Sequence, residues 1–400
     1  MKNSGVAWLG EVPAVWTVQT FRRVASLESG RDFKTQEVLE GGFPVIGSGG
    51  EFARADGYLF DGESVLLGRK GTIDKPLYVN TPFWTVDTMY YSRVIQSVVT
   101  KFVYYWATIL PFKMFATNTA VPSMTSTDIK NFQIALPPFE EQVAIASFLD
   151  RETAQIDELI DKQQQLIATL AERRKAVITR AVTRGLDENA GTKPSELYWA
   201  PLMPETWVVD RLARHFSASK GKNAAVLTKE YCGEIPGDFP VYSGQTSNDG
   251  VMAYIASFEF DSGDEGVLLS TTVGSGLVMT LKHIRGKFSL SQNCMVISRR
   301  GNLSTSFYRW QLSAMFDAKR GELSGDMQTS FRMSDLYSYK ILRPSLPEQR
   351  QIAQFLDSET RQIDLLAEKT ETMISLLIER RQALISAAVT GKIDVSGEGL

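Results

Sequence analysis

Arg69 and Lys70 stand side by side in the glycine-rich stretch Gly68-Arg69-Lys70-Gly71, directly after the apolar run Ser64–Leu67. Two adjacent cations in a turn that follows a strand suit an oxyanion, a phosphate above all. Gln245, Asn248, Gln292 and Asn293 are further candidates, because carboxamides, like guanidinium groups, pair with base edges in the major groove of DNA. Judged by type alone, each of the six reads as a phosphate contact or a solvated surface residue before it reads as a base contact. Catalytic chemistries are poorly served. Gly68–Thr72 has neither the spacing nor the Lys-Ser/Thr end of a phosphate loop, and Gly47-Ser48-Gly49-Gly50 does not fit GxGxxG and reads as a tight turn. No HExxH occurs, and two histidines (His215, His283) are too sparse for a His-rich metal site. Two cysteines, Cys232 and Cys294, are too few for a disulfide framework and are not in CxxC spacing, so both read as buried thiols. The prolines of Leu136-Pro137-Pro138-Phe139 lack the preceding Asn or Asp of an amino-methyltransferase motif. These residues describe a binding protein without a catalytic or metal site of its own.

The framework that holds these residues is a chain written twice. Between Pro137/Pro344 and Asp187/Asp394, 26 of 51 ungapped positions are identical at an offset of 207 residues. That offset is far beyond a solenoid period, so each copy is a domain-sized unit. The repeated text is helical: acids follow a proline at the start, and Gly185 and Gly391 suit the end. Ile156, Ile160, Gln163, Ile167, Leu170, Arg174, Val177 and Ala181 fall at alternating spacings of four and three, as do Ile363, Ala367, Thr370, Ile374, Leu377, Arg381, Leu384 and Ala388. That is a coiled-coil seam. A helix of about 45 residues is about 65–70 Å long and needs a partner for its stripe, so the two copies are expected to pair antiparallel. Arg174 and Arg381 hold the same seam position. Such an arginine either snorkels its head to water or fixes register.

The segments before each helix resemble each other weakly: GGFPVIGSGG (41–50) with GDFPVYSGQT (237–246), SVLLGRKGTI (64–73) with GVLLSTTVGSG (266–276), and STDIKNFQI (126–134) with MSDLYSYKI (333–341). Short apolar runs bounded by Gly and Ser predict strands, hence mixed α/β domains. Net charge is −3 over 400 residues, but it is uneven. Residues 1–135 and 200–343 carry +1 and +2, against −2 for each repeated helix, which permits a local basic face. No run of about 18 apolar residues exists, and the first residues have no signal-peptide pattern, so a cytoplasmic protein is expected.

Two variable α/β segments, each followed by a long helix that carries EQ…FLD…ET.QID…ERR, resemble the specificity subunit of a type I restriction-modification system. PVIGSGG, GRKGT and VPSMTSTDI support the likeness, which covers essentially the whole chain. The resemblance implies a mixed α/β fold of two target recognition domains separated by two antiparallel coiled-coil helices, with an internal pseudo-twofold repeat. It places recognition domains at 1–136 and 200–343, helices at 137–186 and 344–394, and a linker at 187–199. Each domain would read half of a bipartite double-stranded DNA target. The helices would set the spacing and dock two methyltransferase subunits, which restriction subunits join. AdoMet, ATP and Mg²⁺ would then be bound by those partners and none by this chain, in a bacterial or archaeal cytoplasm. A methylation-only system would use a similar chain, and a coiled-coil scaffold with no DNA would share the helices. The second domain has Thr271-Thr272-Val273 where the first has its cationic turn, so the two turns are not chemically equivalent.

Overall fold

The computed structural model describes residues 1–112, 122–245, 247–272, 280–322 and 331–395, with the side chains of 320–322 excepted. The chain divides into two compact units, Met1–Gln164 with Glu371–Leu400, and Gln165–Thr370. Each unit therefore contains one variable segment and a portion of both long helices, Phe139–Arg184 and Leu346–Val389.

In the first unit, Ser64–Gly68 is an SVLLG strand buried along its whole length. An apolar run buried on both faces needs cover on both, and gets it. The strand lies inside an antiparallel sheet ordered Ala25–Ser29, Met89–Val94, Ser64–Gly68, Leu77–Val79. A second sheet is built on the hairpin Phe43–Gly47/Gly50–Ala55, with Trp84–Thr85 parallel to its first strand. Thr17–Thr20 pairs antiparallel with Gln133–Leu136, which delivers the chain into the first long helix. The core joins Trp16, Phe21, Phe102 and Trp106 to Ile145 and Leu149 of the first long helix and Ile385 and Val389 of the second.

The second unit repeats this plan in its own terms. Its antiparallel sheet runs Phe216–Ser219, Cys294–Arg299, Val267–Thr271, Leu281–Ile284. Pro236–Tyr242 is paired antiparallel with Val251–Ile255 and parallel with Lys287–Leu290. Val208–Arg211 pairs with Lys340–Arg343 ahead of the second long helix. Here the core joins Trp207, Phe216, Phe307 and Phe316 to Val182 of the first long helix and to Ile352 and Leu356 of the second. Its helix Thr305–Glu322 has 18 residues, against 9 in Thr100–Thr108 of the first unit.

Two features differ from the sequence reading. The segment 187–199 is not only a connection, because Thr192–Leu197 is a strand that folds back on Ala200–Pro204 with Ser195 buried. Its Lys-Pro-Ser-Glu text reads as polar and turn-like, yet pairing satisfies its backbone and tertiary context overrides propensity. The likeness of SVLLG to GVLLS also slips by one residue. Gly68 pairs with Met89 as Thr271 pairs with Cys294. Leu66 and Leu269 face the smaller clusters, whereas Val65 and Leu268 face the main cores. A strand slipped by one residue would turn every side chain to the wrong face, so packing overrules the letter match. The spatial counterpart of Arg69 is thus Thr272, and that of Lys70 falls on Val273, outside the described residues.

Candidate nucleic-acid interface and helix junctions

The signature letters of the repeated text are contacts between each variable segment and its helices. In the first unit Trp16 Nε1 donates to Glu141 Oε1 at 3.0 Å. Gln142 donates from Nε2 to the Pro137 carbonyl at 2.9 Å and accepts from Val99 N–H at 2.9 Å. Tyr105 donates to Asp150 Oδ1 at 2.6 Å. Burial and that carboxylate raise the phenol's pKa well above its usual value, which keeps Tyr105 a donor. In the second unit Trp207 Nε1 reaches Glu348 Oε1 at 2.8 Å, Gln349 bridges the Pro344 carbonyl (3.0 Å) and Ser304 N–H (3.0 Å), and Trp310 Nε1 meets Asp357 Oδ1 at 3.0 Å. Both glutamines are buried with their amides partnered at each end. Such a group costs little while satisfied and much once one partner is lost. EQ and FLD are therefore docking residues.

QID and ERR are cross-helix partners. Arg174 of the first long helix forks onto Asp364 of the second at 2.8 and 3.4 Å, and Arg381 onto Asp157 at 2.8 and 3.1 Å. A late residue of one helix meets an early residue of the other in both cases, so the pairing is antiparallel. Both pairs are substantially exposed, so their worth lies in geometry more than in stability. Ile156, Leu170, Ile363 and Leu377 are buried, and Ile160, Ile167, Val177, Ile374 and Leu384 are half-buried. From Ile156 to Val177 every residue outside the seam is exposed, and the same holds from Ile363 to Arg381.

The candidate polar residues gather at one edge of each unit. In the first, Arg69 N–H donates to the Thr88 carbonyl (2.8 Å), Met124 N–H to the Arg69 carbonyl (3.0 Å) and Gly71 N–H to the Pro122 carbonyl (2.9 Å). The Ser48-Gly49 turn closes the hairpin whose strand runs beside Trp84–Thr85, the strand leading to that same Thr88 loop. Gly47 packs tightly there, since a Cβ on it would lie 3.2 Å from the Phe52 ring. GRKGT and the described part of VPSM thus meet although they lie far apart in the chain, and PVIGSGG pairs with the strand that leads into the Thr88 loop; Val121 is outside the described residues. Arg69 is half-buried over the Tyr90 ring (5.9 Å) with Nη1 on the Asp87 carbonyl (3.3 Å), and Lys70 is exposed.

In the second unit Gln292 and Asn293 form an exposed turn, with Thr272 N–H on the Asn293 carbonyl (2.9 Å) and Ser291 N–H on the Tyr242 carbonyl (2.9 Å). Those bonds bring the turn beside the loop that holds Gln245 and Asn248. Both loop carboxamides donate to the Val251 carbonyl, at 2.8 and 3.1 Å, and Asn248 lies in the left-handed region at φ 50. In this conformation their amide nitrogens shape the loop. Cys294 follows the turn, and burial pushes its thiol up to about 12, so it is no nucleophile. Among the described residues, no group of three or more His, Cys, Asp or Glu could hold a metal ion, and no helix is long and apolar enough to cross a membrane.

The family model for the type I restriction modification DNA specificity domain matches residues 13–169 and again 204–373. The chain belongs to this family. Each match takes in one variable segment and the first part of the long helix after it, so the domain is present twice. The Escherichia coli EcoDI specificity subunit is 22% identical over 372 residues, 86% of this chain and 81% of that one. The EcoBI specificity subunit of the same organism is 27% identical over 216 residues, 48% of this chain and 44% of the relative. Two curated Mycoplasma pneumoniae relatives match at 27 and 28% identity, and the chain spans only 62 and 64% of their length. Among solved structures, a chain from work on complex assembly and conformational transition of the type I R-M system aligns with TM-score 0.67 at 16% identity, over 96% of this chain and 100% of that one. The HsdS subunit from Thermoanaerobacter tengcongensis gives 0.53 at 15%, over 96% and 98%. The fold is shared with both.

Sequence reading found the helical repeat and its seam but missed what Glu141, Gln142 and Asp150 do. Their recurrence in the second copy was the available signal. Their partners, Trp16, Val99 and Tyr105, are 125, 43 and 45 residues away.

Proposed function

We propose that this chain is the DNA sequence-specificity subunit of a type I restriction-modification complex, with no catalytic chemistry of its own. Each recognition domain reads one half of a bipartite target, and the paired helices set the spacing and dock two methyltransferase subunits. AdoMet, ATP and Mg²⁺ chemistry belongs to those partners and to restriction subunits. The observation that carries this reading is one junction and one helix pairing built twice, beneath two polar edges that differ in every candidate residue. Identical partners on the helices and different sequences at the edges account for that combination. Further support comes from Leu159, Leu166, Leu366 and Met373, which are exposed, outside the seam, and apolar at the same two positions of both copies. Repeated apolar residues facing water fit a surface that a partner covers.

Exchanging residues 200–343 for the corresponding segment of another family member, followed by methylome sequencing of cells that carry the complex, tests the two-reader idea. One half-site should change and the other should stay. A change in both halves rejects it.

Arg69→Ala and Lys70→Ala should each weaken DNA binding by the assembled complex. Each should also lower the slope of log K against log salt by about one for every phosphate contact removed. The larger effect is expected at Lys70, which is exposed and has no ion-pair partner among the described residues, whereas Arg69 is partly engaged with Tyr90 and Asp87. Unchanged affinity together with an unchanged slope would return both residues to the solvated surface.

A further inference from the structure

The two units provide an internal control at the place where the short helix of each variable segment meets the long helices. In the first unit this place is aromatic: Tyr78, Tyr104 and Tyr105 are in ring contact, and Lys101 lies 4.2 Å from the Tyr78 ring while pairing with Asp150. The second unit keeps the frame, since Trp310 bonds Asp357 as Tyr105 bonds Asp150. Its charge is shifted toward the positive, even though Lys101 becomes Ser306. By strand register and helix alignment, Tyr78 becomes His283, Asn80 becomes Arg285, Tyr104 becomes Arg309, and Ala154 becomes Arg361. Three arginines thus replace neutral residues around the seam residue Arg174, and together they line a cavity of about 560 Å³.

The cluster is not balanced from within. Asp357 and Asp364 are the two acids in its lining, and they hold Arg309 (2.6 Å) and Arg174 (2.8 Å). Arg285 and Arg361 are exposed and have no ion-pair partner among the described residues. Arg309 is fixed by stacking 4.0 Å from the Trp310 ring, yet its Nε is buried without a hydrogen-bond partner among the described residues. Burial, together with the charges of Arg174 and Arg285, lowers its pKa from the usual guanidinium value, and Asp357 offsets this in part. Converging guanidinium groups repel one another unless an anion sits between them. An excess of two positive charges, presented by planar forks, matches the tetrahedral oxygens of a phosphate better than a single carboxylate.

We propose that the pocket formed by Arg174, Arg285, Arg309 and Arg361 binds a phosphate group, supplied either by the backbone of DNA or by a free polyphosphate. Because the probe can be offered without DNA, the proposal stands or falls separately from the DNA-recognition reading. Calorimetric titration of the full chain with inorganic pyrophosphate should give saturable binding, weakened about tenfold or more by Arg285→Gln and by Arg361→Gln. Both side chains are exposed, so both variants should fold, and unchanged thermal melting verifies it. The assembled complex then separates the sources. If the phosphate comes from DNA, pyrophosphate competes with DNA and each variant lowers the salt slope by about one. If it is free, pyrophosphate binds while DNA affinity and slope stay as in the parent. The proposal is overturned if neither variant alters pyrophosphate binding or the salt slope. It is equally overturned if the variants only abolish association with a protein partner, which would make the pocket a protein contact.

Discussion

Trp207→Ala is expected to lower the stability of the second unit by about 3–5 kcal/mol, the usual cost of emptying a large buried aromatic site. Trp207 is fully buried, stands edge-on to Phe307 at 6.4 Å, and gives its indole N–H to Glu348 at 2.8 Å. The alanine variant leaves a cavity beside Phe307 and strips the Glu348 carboxylate of its donor. Trp207→Phe fills most of the space and removes only the charge-assisted hydrogen bond, so it should cost about 1.5–3 kcal/mol. Urea unfolding of the full chain measures the totals, and hydrogen exchange places them. Protection should fall in Thr305–Glu322 and in the first turns of Leu346–Val389, while Thr100–Thr108 keeps its own. A loss below about 1 kcal/mol for the alanine variant would mean that the junction does not anchor the helix.

A four-residue helical insertion between Ala168 and Thr169 should make the complex abandon its original sites. It adds about 6 Å and nearly preserves the facing of the stripe. At about 3.4 Å per base pair, the preferred gap between half-sites should lengthen by one or two base pairs. The half-sites themselves should not change, because no candidate reader residue is touched. The partner helix needs a matching insertion for the seam to stay paired. The repeat-equivalent place is Ser375-Leu376, but the Arg174–Asp364 bridge sets an antiparallel register that puts Lys369-Thr370 at about the level of Ala168-Thr169. Equivalence in a repeat and adjacency in space are different relations, and the double insertion belongs at the latter. Methylome sequencing gives the result. Methylation that persists at the original spacing would show that the helices do not set the distance.

The long helices were legible because their information is local. Seam residues at spacings of four and three lie on one face whatever the rest of the chain does, and a glycine can end a helix within one turn. Gly185 and Gly391 both stand at positive φ just past the helix ends. The internal repeat needed only a comparison of the chain with itself, and it already implied that each helix serves the same purpose twice. Divergence of the variable segments was legible in the same way. By contrast, SVLLG and GVLLS look aligned as text and are out of step by one residue in space. No local signal separates those two registers, because the run is apolar at every position and the choice is made by the clusters packed on each face.

The same division holds for the candidate sites. The order of residue types was enough to show which side chains could meet phosphate and bases, that the usual nucleotide and metal motifs are missing, and that two similar bodies share one helical theme. It is the folded chain that brings Arg69, Thr88 and Met124 together, turns the amides of Gln245 and Asn248 onto the Val251 carbonyl, and sets Arg174 against Asp364. Only there do Arg285, Arg309 and Arg361 converge, from three separate segments, on a place that the first unit fills with tyrosines. Periodicity sets which face a residue occupies. The partner across that face is chosen by hydrogen bonds and packing between residues far apart in the chain, and these exist only once the chain has folded.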